Sequence, residues 1–315
     1  MTNPKSTNLK SIAVLGAGAW GTSLAHIALS NGHRVNIWSR HGSQTLASVV
    51  ENVDAIVSAI SMKGVREVAT QLQSLPISAK AVFVTATKGL EPKTNSTPSQ
   101  IWQETFPNHP VVVLSGPNLS KEIQLGLPAA TVVASQSKEA ADLVSLVFSS
   151  NRFRVYTNSD PLGVELGGTL KNVIAIASGV CDGLELGTNA KAALVTRGLT
   201  EIIRIGNLWG AKTETFYGLS GLGDLLATCN SPLSRNYQVG YQMACGKTLT
   251  ETLTHLEGTA EGVNTCQVLM LRSKQHNIYM PITEQVYRLI QGEVTPQQAL
   301  DELMLRDIKP EYNNH

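Results

Sequence analysis

The stretch Ser11-Ile12-Ala13-Val14-Leu15-Gly16-Ala17-Gly18-Ala19-Trp20-Gly21-Thr22 decides the fold. A short apolar run ends at a glycine, which reads as a buried strand. Thr22 to Leu29 is small and apolar, which suits a helix packed tightly on a sheet. Between the two lies Gly16-x-Gly18-x-x-Gly21. The first glycine permits a tight turn, the second lets backbone approach a pyrophosphate, and the third lets helix and strand pack closely. The N-terminus of the following helix offers free N–H groups and partial positive charge to phosphates. An ordinary glycine-rich turn is the competing reading. The place of this one, after a strand and before a helix, favours a dinucleotide site.

Outward from that turn, the pattern repeats. Arg34 to Trp38, Asp54 to Ile60, Ala81 to Thr85 and Val111 to Leu114 read as strands two to five. Ala129 to Ala134 and Phe153 to Tyr156 add two more, around a helix at Lys138 to Phe148. Apolar strands alternating with helices predict a parallel sheet covered on both faces. Lys93 to Ser99 reads as a polar loop. After about Asn158 strand signals nearly vanish. Pro161 to Gly179, Asn189 to Trp209, Ser234 to Ala244 and Thr265 to His276 read as helices. The expected architecture is an α/β, Rossmann-type doubly wound sheet over residues 1–157, then an all-α domain over 158–315.

Composition narrows the function. The 315 residues suffice for two domains, and 42% of them are hydrophobic, enough for a sizeable core. A net charge of +1 gives no surface field for nucleic acid or anionic membrane. Met1 to Lys10 is polar and reads as a tail without a signal-peptide core. The longest apolar run, Val173 to Ala177, falls far short of a membrane span, so no stable membrane insertion is expected. Cys181, Cys229, Cys245 and Cys266 form no CxxC pair, which suits free thiols in a reducing cytoplasm and argues against a bound metal.

The end of the second strand bears on cofactor choice. NAD enzymes usually place an acid there for the ribose 2′-hydroxyl. This chain has Ser39-Arg40-His41. An acid is absent and a cation present, which favours NADP(H), with NAD(H) as the alternative. Further candidates sit at strand ends and in the helical half. Thr87-Lys88-Gly89-Leu90 follows the fourth strand and Ser115-Gly116-Pro117-Asn118 the fifth. Lys171 lies on an otherwise nearly uncharged helix, where a snorkelling surface lysine is the bland reading. Leu219-Ser220-Gly221-Leu222-Gly223-Asp224-Leu225 precedes Ser234-Arg235-Asn236.

Together these segments resemble the bacterial NAD(P)-dependent glycerol-3-phosphate dehydrogenases. The pieces are GAGAWGT at 16–22, WSR at 38–40, TKGL at 87–90, SGPNLSKE at 115–122, ELGGTLKNVIAIASG at 165–179, GLSGLGDLLATC at 218–229, SRNYQVG at 234–240, AEG at 260–262 and PITEQVY at 281–287. They occur in the family's order over nearly the whole chain. The resemblance implies reversible reduction of dihydroxyacetone phosphate to sn-glycerol 3-phosphate, which supplies glycerophospholipid synthesis. It implies that Lys171 is the catalytic acid and base. It implies substrate contacts from Lys88, Gly116, Asn118, Asp224, Ser234, Arg235 and Asn236. The glycine turn, Trp20, Arg40, His41, Lys88, Ser120, Arg235 and Glu261 are the implied cofactor contacts. A homodimer is an open expectation for the helical half.

Elementary chemistry agrees with these roles. Hydride addition to a ketone builds negative charge on oxygen, which a nearby ammonium stabilises and protonates. The substrate phosphate calls for cations, and Arg235 offers a bidentate fork. One departure stands out: between Arg40 and the third strand the chain has only residues 41–53, where relatives usually carry a longer segment. Asn118 also replaces the commoner Ser or Thr. His26 is expected to pack in the core, Trp209, Phe216 and Tyr217 to pack the helical domain, and Lys138, Glu139 and Asp142 to form a solvated helix start. Two other readings compete. One is a two-domain dehydrogenase for a β-hydroxy acid or sugar acid, which SRN and GLGDL fit poorly. The other is an NADP(H)-sensing module, which needs neither Lys171 nor Asp224.

Overall fold

The computed structural model describes residues 9–256, 258–308, 310 and 311. The expected N-terminal tail lies, up to residue 8, outside the described residues. Strands and helices alternate first: β1 (Ser11–Leu15), α1 (Ala19–Ser30), β2 (Arg34–Trp38), α2 (Leu46–Val50), β3 (Ala55–Ser58), α3 (Met62–Gln73), β4 (Val82–Thr85), α4 (Pro98–Thr105), β5 (Val111–Ser115), α5 (Ser120–Gln124), β6 (Ala129–Ala134), α6 (Lys138–Phe148) and β7 (Phe153–Asn158). Helices then follow: α7 (Pro161–Gly183), α8 (Gly187–Leu208), α9 (Thr213–Phe216), a π turn (Leu219–Gly223), α10 (Asp224–Cys229), α11 (Arg235–Ala244), α12 (Leu249–Thr254), α13 (Glu261–His276), α14 (Pro281–Ile290) and α15 (Pro296–Met304). The chain is a Rossmann-type α/β sheet followed by an all-α half.

The sheet runs in the order β2-β1-β3-β4-β5-β6-β7. β1 to β5 are parallel, and β6 pairs antiparallel with β5. The sheet is parallel as expected except at this one pairing, and β7 pairs parallel with β6. Between β5 and β6 the chain carries only the five-residue α5, too short to cover a sheet face and return the chain to the sheet's far end. It turns at the same end instead. Apolar clusters form on both faces, one around Leu24, Val57 and Phe148, the other around Ile56, Leu72 and Trp102.

Helix starts follow from local chemistry. α4 begins inside the expected polar loop, because Pro98 fits the first helical position and Thr97 and Gln100 form a reciprocal capping box. α1 begins at Ala19, three residues earlier than expected, directly from the glycine turn. His26 does not pack in the core. α1 buries Leu24, Ala25, Ile27 and Ala28, and His26 falls on the opposite, exposed stripe with Thr22 and Leu29.

The helical half is built around α7. Asp160 starts that helix: Oδ1 accepts from Gly163 N–H at 2.9 Å, while Oδ2 accepts from Lys212 N–H at 2.9 Å and the Thr215 hydroxyl at 2.7 Å. One carboxylate thereby caps α7 and ties the α8–α9 connection to it. By length and composition α7 could cross a membrane, yet 94% of its most apolar window is buried among the other elements. Its neighbours include α8, α10, α11 and α13. At the α7–α11 crossing the backbones nearly touch. A Cβ on Gly240 would stand 1.8 Å from the Ile176 carbonyl oxygen, and one on Gly179 would stand 2.0 Å from that of Tyr237. Phe216 is fully buried and Trp209 partly so, but Tyr217, following the short α9, is 60% exposed and does not pack the interior as expected. Lys138 and Asp142, expected on a solvated helix start, are exposed and pair with each other on α6.

Candidate active site

The glycine turn sits at the C-terminal end of β1, between β2 and β3, where the strand order reverses and doubly wound sheets bind ligands. Gly16 has φ +116, and a Cβ there would meet the Ala59 carbonyl oxygen at 2.6 Å. A Cβ on Gly21 would stand 2.0 Å from the Gly16 oxygen. Gly18 is different: nothing lies within 4 Å of its Cβ position. Gly18 is also the N-cap of α1 and has no side chain to occupy the first N–H groups of the helix. The first and third glycines are demanded by packing, and the second leaves open space before an uncapped helix start. That cradle fits a dinucleotide pyrophosphate.

Three further loops converge beyond it. Lys88 follows β4, Gly116 follows β5, and Asp224 opens α10 directly after the π turn. Lys171 projects from α7. The Asp224 carboxylate joins the two lysines: Oδ1 lies 2.6 Å from Lys171 Nζ and Oδ2 lies 2.6 Å from Lys88 Nζ. Lys88 Nζ also donates to the Gly116 carbonyl at 3.4 Å, and Lys171 donates to the Thr228 hydroxyl. The Lys171 side chain is 6% exposed, so the snorkelling reading is excluded. Burial pushes its pKa down to about 8; Asp224 opposes that shift and Lys88 adds to it. An ammonium in this state can give up a proton near neutral pH.

The Ser-Arg-Asn run opens α11. Ser234 is its N-cap and accepts from Tyr237 N–H. Asn236 is buried, and its Oδ1 accepts from Gly262 N–H at 2.9 Å, tying α11 to α13. Arg235 is exposed, and Gly258 packs against its guanidinium. Glu261, the first residue of α13, reaches across to α3, where Oε1 accepts from Met62 N–H at 3.4 Å. Burial raises its pKa. Its Oε2 lies 3.4 Å from the Cβ position of Gly89, next to Lys88.

Other expected residues stand further out. Both ends of the Asn118 amide are taken by β6: Nδ2 donates to the Ala130 carbonyl and Oδ1 accepts from the Thr131 hydroxyl. Ser120 opens α5 beside α1, and Trp20 sits in the first turn of α1, partly packed on the sheet. Arg40 pairs with Glu67 of α3 at 3.0 Å, and both side chains are more than half exposed. His41 is exposed in the turn after β2. The shortened segment folds as the five-residue α2, whose Val49 and Val50 are buried.

The sequence reading missed Thr228, although it lies four residues after Asp224, one helical turn on, and that spacing was a usable signal. It also missed Glu165, whose partner Ser99 is 66 residues away. Among the described residues no group of three or more His, Cys, Asp or Glu could hold a metal.

A pyrophosphate cradle on a sheet, together with a buried lysine held below its ordinary pKa on the long helix of an all-α half, is the arrangement of a nicotinamide-dependent dehydrogenase. Comparison with known proteins gives the family. Residues 160–301 match the model of the NAD-dependent glycerol-3-phosphate dehydrogenase C-terminus, and residues 11–47 and 41–141 match that of the N-terminus. A protein of Trichormus variabilis named glycerol-3-phosphate dehydrogenase, NAD(P)+, is 78% identical over 302 residues, which cover 96% of this chain and 98% of that one. The protein of the same name from Synechocystis is 57% identical over 303 residues, 96% of each chain. The crystal structure of glycerol-3-phosphate dehydrogenase from Coxiella burnetii superposes with a TM-score of 0.90 at 35% identity, covering 95% of this chain and 99% of that one. The chain belongs to the NAD-dependent glycerol-3-phosphate dehydrogenase family and is an oxidoreductase.

Proposed function

We propose that this enzyme reduces dihydroxyacetone phosphate to sn-glycerol 3-phosphate, reversibly, with Lys171 as general acid in reduction and general base in oxidation. The observation that carries the reading is the Lys171 ammonium, buried, shared with Asp224, and with its pKa lowered to about 8. The nicotinamide, when bound, supplies the hydride. Lys171 donates its proton to the carbonyl oxygen as negative charge develops there. Asp224 holds the lysine in place and keeps it charged. Lys88, tethered between Asp224 and Gly116, adds a second positive charge to the oxyanion site. Arg235, Ser234 and Asn236 at the start of α11 receive the phosphate, with Gly116 and Asn118 lining the loop after β5. The glycine turn, Trp20, Ser120 and Glu261 line the cofactor cleft. Loss of NADPH absorbance with dihydroxyacetone phosphate as sole ketone tests this. Turnover of another ketone in preference to it would move the assignment to a different two-domain dehydrogenase.

The cofactor preference rests on Arg40. Its exposed guanidinium suits a 2′-phosphate, and no acid stands at positions 39–41 for a 2′-hydroxyl. NADP(H) is the favoured cofactor, and His41 in the same turn is its second proposed contact. In steady-state kinetics Arg40→Ala raises the NADPH Michaelis constant about tenfold and leaves that for NADH within about twofold, as expected for loss of one charge-assisted phosphate contact. Equal effects on both cofactors would remove Arg40 from recognition. The four cysteines are free thiols, and α7 is buried in the protein, which supports a cytoplasmic enzyme not inserted in membrane. A homodimer through the helical half is retained as a proposal, tested by sedimentation.

A further inference from the structure

α7 carries more than Lys171. Glu165 and Thr169 are four residues apart on it and so lie one above the other. Both face the segment that begins with Lys88. Thr169 is fully buried, and its hydroxyl accepts from Gly89 N–H at 3.2 Å. Glu165 is 2% exposed, and its carboxylate accepts from Ser99 N–H at 2.8 Å and from the Ser99 hydroxyl. The stretch 88–99 is thus held near both ends by one helix. Between the two anchors, a Cβ on Gly168 would stand 2.2 Å from Ser115 Oγ and 3.4 Å from Lys88 Cε, so α7 lies directly against the stem of Lys88.

Neither anchor has a part in the chemistry described above. Each is nevertheless expensive to bury, and burial pushes the Glu165 pKa up to about 7 against the donors of Ser99 and Thr97. We propose that Glu165 and Thr169 are positioning residues that hold the Lys88 segment of the dinucleotide domain in register with Lys171. Lys88 leaves β4 on an irregular loop, whereas Lys171 stands on a long rigid helix. Arg66 of α3 holds the middle of the loop through Glu91, and the two anchors tie its ends to the helix that carries Lys171, so that α7 bears directly on the spacing of the two ammonium groups. Both reach the single Asp224 carboxylate at 2.6 Å. Misplacing a catalytic group by about 1 Å can cost on the order of a hundredfold in rate, so such an anchor has kinetic consequences.

The inference rests on the roles proposed for Lys88 and Lys171, and a double-mutant cycle separates the two. Glu165→Leu, Glu165→Gln and Thr169→Val are made in the natural enzyme and in Lys88→Met. Glu165→Leu is expected to lower kcat for ketone reduction by about tenfold or more, with the NADPH Kd within about twofold. Glu165→Gln keeps an oxygen for Ser99 N–H and restores most of the rate. Thr169→Val lowers kcat by about threefold. In Lys88→Met the same substitutions have little further effect, since they act through Lys88. Equal losses in both backgrounds, or an unchanged kcat in Glu165→Leu, would overturn the inference. If Glu165→Leu does not fold, Ser99→Ala removes one donor with less disturbance, and its smaller loss of kcat must likewise depend on Lys88. A Lys88→Met enzyme with natural kcat/KM would instead overturn the underlying reading of the site.

Discussion

Lys171→Ala abolishes turnover, with kcat falling by about three orders of magnitude or more, and leaves NADPH binding nearly unchanged. General acid catalysis by a positioned group contributes roughly 10²–10⁴ in rate, and the charge of the same ammonium also stabilises the developing oxyanion. The cofactor cradle is unaffected because it is made by the turn between β1 and α1, packed on Ala59 after β3, while Lys171 sits on α7. Asp224 keeps Lys88 as a partner, so the substitution does not strand an unpaired buried charge. Stopped-flow turnover and NADPH fluorescence titration measure the two quantities. A loss of NADPH affinity matching the loss of rate would contradict the assignment. The same lysine sets the pH dependence. Its pKa is pushed down to about 8, and the role proposed for it in reduction requires the protonated form. Reduction is therefore expected to decline as pH rises through about 8, while oxidation of glycerol 3-phosphate rises over the same interval.

Asp224→Leu has the second large effect, on stability as well as on rate. The carboxylate is 2% exposed and is the shared counter-ion of two lysines. Without it Lys171 remains in the interior as an uncompensated charge beside Lys88. Breaking a buried pair by removing one member costs about 3–5 kcal/mol, and the partial exposure of Lys88 places this case near the lower end. The thermal midpoint should fall by roughly 6–12 °C at about 2–4 °C per kcal/mol. Since Asp224 raises the Lys171 pKa, its loss also moves the alkaline decline of the residual reductase activity to lower pH. An unchanged midpoint together with an unchanged pH profile would mean that Asp224 is not the partner of Lys171 in solution.

Most of the sheet was legible because its strands are short apolar runs that stop at glycine or polar residues, as β1 does at Gly16. α6 was legible to the residue, since Ser137 caps it and its apolar positions keep helical spacing. The antiparallel turn into β6 was not legible, because local sequence marks a strand but not its direction. His26 misled because the α1 sequence is apolar nearly all round, so its one exposed stripe has little contrast. In the site, Lys88, Lys171 and Asp224 stood out by residue type within glycine-rich surroundings. Their meeting at one carboxylate did not, as it joins positions 88, 171 and 224 through three separate elements. Glu165 carried no signal for the same reason: its function lies in a contact with Ser99, and nothing around either residue announces the other.

The α7–α11 crossing bears on inherited variation in this enzyme. Gly179 and Gly240 leave no room for a methyl group between two backbones, one of which carries Lys171 and the other Arg235 and Asn236. An alanine at either position must spread the helices and so shift Lys171 relative to Arg235 and Asn236. A map of intolerant positions would then not form a halo around the substrate. It would run as a seam along the helix pair, through residues that never meet a ligand, and a survey that ranked positions by distance from the reacting carbon would pass over them.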